Sequence, residues 1–147
     1  MSVIAVAELT VDAARDIAWS RFIDFAQWDL WMPPGFRPIS GPARALHTGD
    51  KLTLGVGRKA WLKLNVEVIR VRPGKEICWT GGNPTLMRGE HSFLFSDAAD
   101  GKTRVRSEET FRGLLTAGPL AARLERTATD SASEVLASFV DFVKRPR

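Results

Sequence analysis

One cysteine, Cys78, is all the chain has, so no internal disulfide forms, and a lone thiol points to a reducing compartment. Histidine is scarce too. His47 and His91 stand singly, far from each other and from Cys78, without the spacing metal ligands share, and neither metal nor cofactor is expected. No apolar run approaches the roughly 20 residues of a membrane-spanning helix, and the first ten residues contain Glu8 and lack a basic leader. The expectation is a soluble, cytoplasmic protein without membrane insertion. Internal repeats, low-complexity tracts and linkers are also missing. The 147 residues therefore read as a single domain, 1–147, large enough to build its core without staples.

What charge there is lies unevenly. Residues 1–50 carry four Lys/Arg against six Asp/Glu, and residues 51–147 carry seventeen against eleven. Arg58, Lys59, Lys63, Arg70, Arg72, Arg104, Arg106 and Arg112 make a basic stretch that raises nucleic acid as a partner. No exposed aromatics interleave to stack bases, so a solvated sheet back is the favoured reading. Gly55-Val56-Gly57-Arg58-Lys59-Ala60 resembles a relaxed dinucleotide fingerprint. That fingerprint needs a helix after it, and Trp61 to Val68 alternates as a strand, so these glycines read as a hairpin turn.

The stretch that organises the rest is Pro119 to Lys144. Apolar or small residues recur at Leu120, Leu124, Ala128, Ala132, Val135, Phe139, Phe142 and Val143, the three-and-four spacing of one helical face. Upstream, Val3 to Leu9 alternates as a strand. Ile17, Ala18, Phe22 and Phe25 form a helical stripe, and a short second helix runs to Trp31 before Pro33-Pro34. Six strands follow. Residues 38–46 are a weak one, Leu52 to Val56 and Leu62 to Val71 alternate, and a parity switch near Ile69 predicts a bulge. Glu76 to Thr80 is a short strand, Gly81 to Gly89 a mobile loop, and Glu90–Ser96 and Thr103–Gly113 are strands joined at Asp100-Gly101. The fold class is α+β: a seven-stranded curved antiparallel sheet gripping the C-terminal helix, with two short helices after strand 1. Small residues in that helix's first half, Ala121, Ala128, Ser131 and Ala132, predict a pocket beneath it unless large sheet residues fill the space.

Several local sequences, in order and spacing, resemble the helix-grip or SRPBCC superfamily, which takes in START-type lipid-transfer domains, birch-pollen allergen-like proteins and polyketide cyclases. They are Phe25 to Trp31 before proline, Ile77-Cys78-Trp79-Thr80-Gly81, Gly89-Glu90-His91-Ser92-Phe93 and Glu109-Thr110-Phe111-Arg112-Gly113-Leu114-Leu115. The likeness is greatest to small bacterial polyketide cyclase/dehydrase-like members. It covers nearly the whole chain and implies an apolar cavity between sheet and C-terminal helix. The superfamily hosts both enzymes and passive binders, so it leaves the activity open.

One polar constellation stands out by period-two counting. His91 shares a face with Phe93 and Phe95, and Glu109 shares one with Val105, Ser107 and Phe111. A hairpin centred near Asp100-Gly101 sets His91 directly opposite Glu109, within hydrogen-bonding reach. In an apolar pocket the pair can orient a ligand carbonyl or hydroxyl, pin the hairpin by satisfying itself, or serve as general acid and base. The wall residues expected around it are Leu54, Leu64, Val66, Trp79, Phe93 and Phe111 from the strands. Trp28 and Trp31 come from the short helix, Met87 from the loop, and Leu124 and Ala128 from the last helix. The reading is a binding protein for a small or medium hydrophobic molecule. The alternatives are a polyketide cyclase or dehydratase using His91 and Glu109, and an interaction module with no ligand. The open sheet edge and the Trp-rich short helix leave room for a homodimer.

Overall fold

A computed structural model describes residues 2–57, 62–83 and 85–145, with Ser2 and Val3 described by backbone alone. Trp61, Arg58, Lys59 and Pro84 lie outside the described residues. The chain runs β1 (Ser2–Val11), α1 (Arg15–Ile23), a 3-10 turn (Phe25–Gln27) and α2 (Trp28–Trp31). It continues through β2 (Phe36–Ser40), β3 (Lys51–Val56), β4 (Leu62–Arg72), β5 (Glu76–Asn83), β6 (Met87–Asp97) and β7 (Thr103–Arg112) to a turn at Leu114–Thr116 and α3 (Leu120–Lys144). The strands form one seven-stranded sheet in the order β1-β7-β6-β5-β4-β3-β2, every pair antiparallel.

Alternation of side chains gives the sheet an apolar inner face and a charged outer one. A row across the inner face runs Ala5, Glu109, His91, Trp79, Val68, each opposite the next. The register shift between Val68 and Arg70 supplies the bulge expected near Ile69. On the outer face the arginines meet carboxylates: Arg70 with Glu76 at 3.1 Å, Arg104 with Glu8 at 3.2 Å, Arg106 with Glu108 at 2.7 Å. Glu76 is buried, whereas the Arg104–Glu8 and Arg106–Glu108 pairs are exposed and add little stability, and together the carboxylates break up the basic face into mixed charge.

In the stretch expected to be a mobile loop, Gly81 to Asn83 and Met87 to Gly89 are strand. β5 and β6 stay paired out to Asn83 opposite Met87, with Gly81 facing Gly89. These glycines mark close approach rather than slack, because a Cβ on Gly81 would meet the Asn65 carbonyl oxygen and Val66 Cγ1 at 2.8 Å. The weak strand at 38–46 shrinks to Phe36–Ser40. Gly41, just beyond, lies under the Phe25 ring, where a Cβ would stand 2.6 Å from Cε1.

Helix α3 starts after Pro119, as the missing amide hydrogen allows, and its buried face is Ala128, Ala132, Val135, Leu136, Phe139, Phe142 and Val143. The expected stripe fails in the first two turns, where Leu120 is exposed and Leu124 only half-buried. Among the described residues no helix is long and apolar enough to cross a membrane.

An aromatic cluster fills the space between sheet and helix. Phe22 on α1 touches Trp28, Trp31, Phe93, Phe95 and Phe139, with ring centroids 4.8–5.9 Å apart. Beside it, Arg21 is buried and fixes the end of α3. Its Nη1 donates to the Val143 carbonyl at 3.0 Å and the Arg145 carbonyl at 3.3 Å, and its guanidinium lies 4.3 Å from the Phe142 ring centroid. A cation there meets the negative end of the helix dipole. Arg21→Ala is expected to cost about 2 kcal/mol in denaturant unfolding, with Arg21→Lys recovering only part because an ammonium cannot fork across two carbonyls. A loss near zero would mean that the helix end is held by packing alone.

Candidate functional site

Beyond Trp79, at the open end of the sheet, the aromatic filling stops and a cavity of about 70 Å³ remains. Leu64, Val66, Trp79, Met87, His91, Glu109 and Phe111 line it, together with Gly81, Gly82 and Gly89. The glycines make the space. A Cβ on Gly89 would press on the Phe111 ring at 3.3 Å.

Two polar side chains face this apolar room. His91 is opposite Glu109 across the β6–β7 ladder, the register that hairpin counting anticipated. The His91 ring is clamped by stacking on Phe93 at 4.4 Å and by Trp79 at 5.3 Å. Its Nε2 lies 2.6 Å from Ser107 Oγ, a fully buried hydroxyl. Its Nδ1 lies 3.4 Å from Glu109 Oε2, inside ion-pair range but off the line that a hydrogen bond needs, so among the described residues this buried nitrogen has no hydrogen-bond partner. The tautomer follows from Ser107. If the hydroxyl donates to Nε2, Nδ1 carries the proton and donates; if Nε2–H donates, Nδ1 accepts.

Burial sets the charge states. It raises the Glu109 carboxyl from 4.5 to about 7 and depresses the His91 imidazole from 6.5 to about 3. Both groups are therefore neutral through mildly acidic pH, and Glu109 exchanges its proton near neutrality. A neutral carboxyl donates and accepts, so the pair can hold a ligand hydroxyl or carbonyl, or pass a proton to one. Among the described residues no three His, Cys, Asp or Glu side chains gather as metal ligands do.

Of the residues singled out in the sequence, Leu64, Val66, Trp79, Met87, His91, Glu109 and Phe111 come together here. Trp28, Trp31, Leu54 and Phe93 are buried in the core and do not line the cavity, and neither do Leu124 and Ala128 on α3. They stand apart because the Phe22 cluster occupies the room below the helix. Ser107 and the three glycines were not anticipated as site residues. The signal available for the glycines was their clustering on facing strands, which counting by twos could have revealed.

A curved seven-stranded sheet holding a long C-terminal helix, with two short helices after the first strand, defines the helix-grip fold of the SRPBCC superfamily. Solved structures share it across nearly all of this chain. Hypothetical protein jhp0584 from Helicobacter pylori aligns with TM-score 0.75 and 13% identity over 96% of this chain and 88% of its own. Ara h 8.0201 aligns with TM-score 0.71 and 10% identity over 97% and 98%. DynU16, from the dynemicin biosynthetic locus, aligns with TM-score 0.69 and 13% identity over 96% of this chain and 47% of its own. The chain belongs to the family described as polyketide cyclase / dehydrase and lipid transport, which matches residues 2–141. Among curated proteins none matches the sequence.

Proposed function

We propose that this protein binds a hydrophobic small molecule by its oxygen-bearing end, with a carbonyl or hydroxyl seated between Glu109 and His91. The observation that carries the reading is the unpartnered Nδ1 of His91 facing a raised-pKa carboxyl inside an apolar cavity. Buried polar atoms are nearly always paired, so an orphan beside empty space marks a place for a ligand atom. The volume limits what enters. About 70 Å³ holds roughly two waters or the head of a larger molecule, well below the ~300 Å³ of a typical ligand pocket. The remainder of the ligand lies along Met87, Phe111 and Leu64, whose side chains must swing outward to admit it.

Native mass spectrometry followed by organic extraction, then a thermal-shift screen of acyl and aromatic compounds, tests this directly. Carbonyl- or hydroxyl-bearing compounds are expected to stabilise the protein in a concentration-dependent way, and matched hydrocarbons to do so less. Glu109→Gln should weaken the oxygen-bearing compounds about fivefold, the worth of one hydrogen bond. Gly89→Ala should weaken them further by filling the cavity against Phe111. Binding that ignores both substitutions places the ligand elsewhere.

A second reading rests on the pKa of Glu109. A carboxyl titrating at about 7 holds both acid and base forms at neutral pH, as proton transfer in a cyclisation or dehydration requires. The same variant separates the two: a catalyst loses turnover in Glu109→Gln while keeping its affinity, and a binder changes affinity alone.

A further inference from the structure

The turn between β7 and α3 is built inside out. In Leu114–Thr116 the hydroxyl residue is buried, its Oγ1 donating to the Gly113 carbonyl at 2.7 Å, while Leu114 and Leu115 are 69% and 46% exposed. The β5–β6 tip is tied to the same place. Leu114 N donates to the Thr85 carbonyl at 3.1 Å and Leu115 N to the Leu86 carbonyl at 3.0 Å. Gly113, at φ 129°, packs so close that a Cβ there would stand 2.5 Å from the Leu86 carbonyl oxygen. These tips are locked together, and they still present leucine to solvent. Leu86 is 50% and Leu120 55% exposed, so four leucines share one end of the molecule.

The two stretches that carry them hold charge of one sign. Residues 81–89 and 110–124 contain Arg88, Arg112 and Arg123 and no Asp or Glu. Arg88 and Arg112 are directly opposed on adjacent strands, an arrangement that costs stability unless an anion lies near. The next acid along β6, Glu90, is 3.8 Å from Arg70, and Glu109 faces the cavity. Elsewhere on the sheet exterior the arginines alternate with carboxylates, so this end differs from the rest of the surface.

We propose that this end docks reversibly on the surface of an anionic lipid bilayer, with the leucines reaching the boundary between headgroups and acyl chains and the arginines meeting lipid phosphates. Protruding apolar tips suit a fluid interface, which needs no matching shape, and the opposed Arg88 and Arg112 suit its charge. The contact is peripheral. Leu86 adjoins Met87, and Phe111 lies three residues before Leu114, so the docked face is also the cavity's end of the sheet. Docking is independent of what the cavity holds, because vesicle binding is measured with no ligand added.

The test is co-sedimentation of the full chain with vesicles of phosphatidylcholine alone and with roughly a third phosphatidylglycerol, from low salt to about 0.5 M. Binding is expected to the anionic vesicles only and to fade with salt. Leu114→Ser with Leu115→Ser should weaken it at least about tenfold, and Arg88→Gln with Arg112→Gln about fivefold for each arginine. All four side chains are exposed, so melting temperatures serve as the control for folding. No sedimentation with anionic vesicles overturns the proposal, as does binding that neither pair alters. A dimer in solution that the leucine pair dissociates also overturns it, by showing that a second copy covers the patch, and so does capture by an acidic protein partner in place of vesicles.

Discussion

Phe22→Ala is expected to lower the unfolding free energy by about 3–5 kcal/mol. The ring is fully buried and meets five others, from α2, β6 and α3. Its neighbours sit on separate elements held by their own ladders and helical bonds, so the hole left by truncation cannot collapse from one side. The cost therefore combines lost transfer energy with a lasting void. Phe22→Leu, which keeps most of the volume, should lose about 1–1.5 kcal/mol. Urea midpoints at unchanged slope give both numbers. The result bears on function as well as stability. A loss under about 1 kcal/mol would mean loose filling below α3, and the site would then extend from the Glu109 cavity into the centre of the grip.

The second large effect is a dependence of stability on pH that two residues drive in opposite directions. Glu109 has its folded pKa raised from 4.5 to about 7. Its contribution is fully present below 4.5 and is lost as pH rises through about 7, and the difference is roughly 3 kcal/mol at 1.36 kcal/mol per unit. His91 has its folded pKa lowered from 6.5 to about 3. Its contribution is present above 6.5 and is lost as pH falls toward 3. Between 4.5 and 6.5 the slopes cancel. From this pair the protein is expected to show a plateau in mildly acidic solution, a fall below about 4.5 from His91 and a fall between about 6.5 and 7 from Glu109. Glu109→Gln removes one slope and leaves the other, so the variant should gain stability relative to the parent as pH rises from 4.5 to 7. Melting temperatures across that range for both proteins settle it. Parallel curves would show that the carboxyl is ionised and solvated in the folded state, and the case for a ligand-facing neutral acid would fall with it.

How much of this was legible in advance varies by element. The His91–Glu109 opposition was readable because strand side chains alternate strictly and Asp100-Gly101 closes the hairpin with positive φ at both residues, 60° and 72°. A fixed turn and a period of two leave one register. The closest polar contact of His91 was not readable. Ser107 lies diagonally, two residues from the direct partner, and the ring turns to it because Trp79 and Phe93 clamp the imidazole plane. The Gly81 to Gly89 stretch misled for a related reason. Glycine marks both slack turns and close backbone approaches, and only the neighbouring strand β4 distinguishes them.

Local pattern by itself determined the order of elements, the inward and outward faces of the strands, the bulge near Ile69 and the helical stripe from Ala128 onward, because each depends on spacing within one segment or across one tight turn. Tertiary structure alone decided where space remains. Whether Trp28, Trp31 and Phe93 line a pocket or fill it depends on how α1, α2 and α3 meet over the sheet, and they meet around Phe22. The cavity was left at Glu109 because Gly81 and Gly89, opposite each other on adjoining strands, bring no side chains to it. Burial there, and with it the protonation of the acid and the base, is a property of many segments packed together, which no one stretch of the chain encodes.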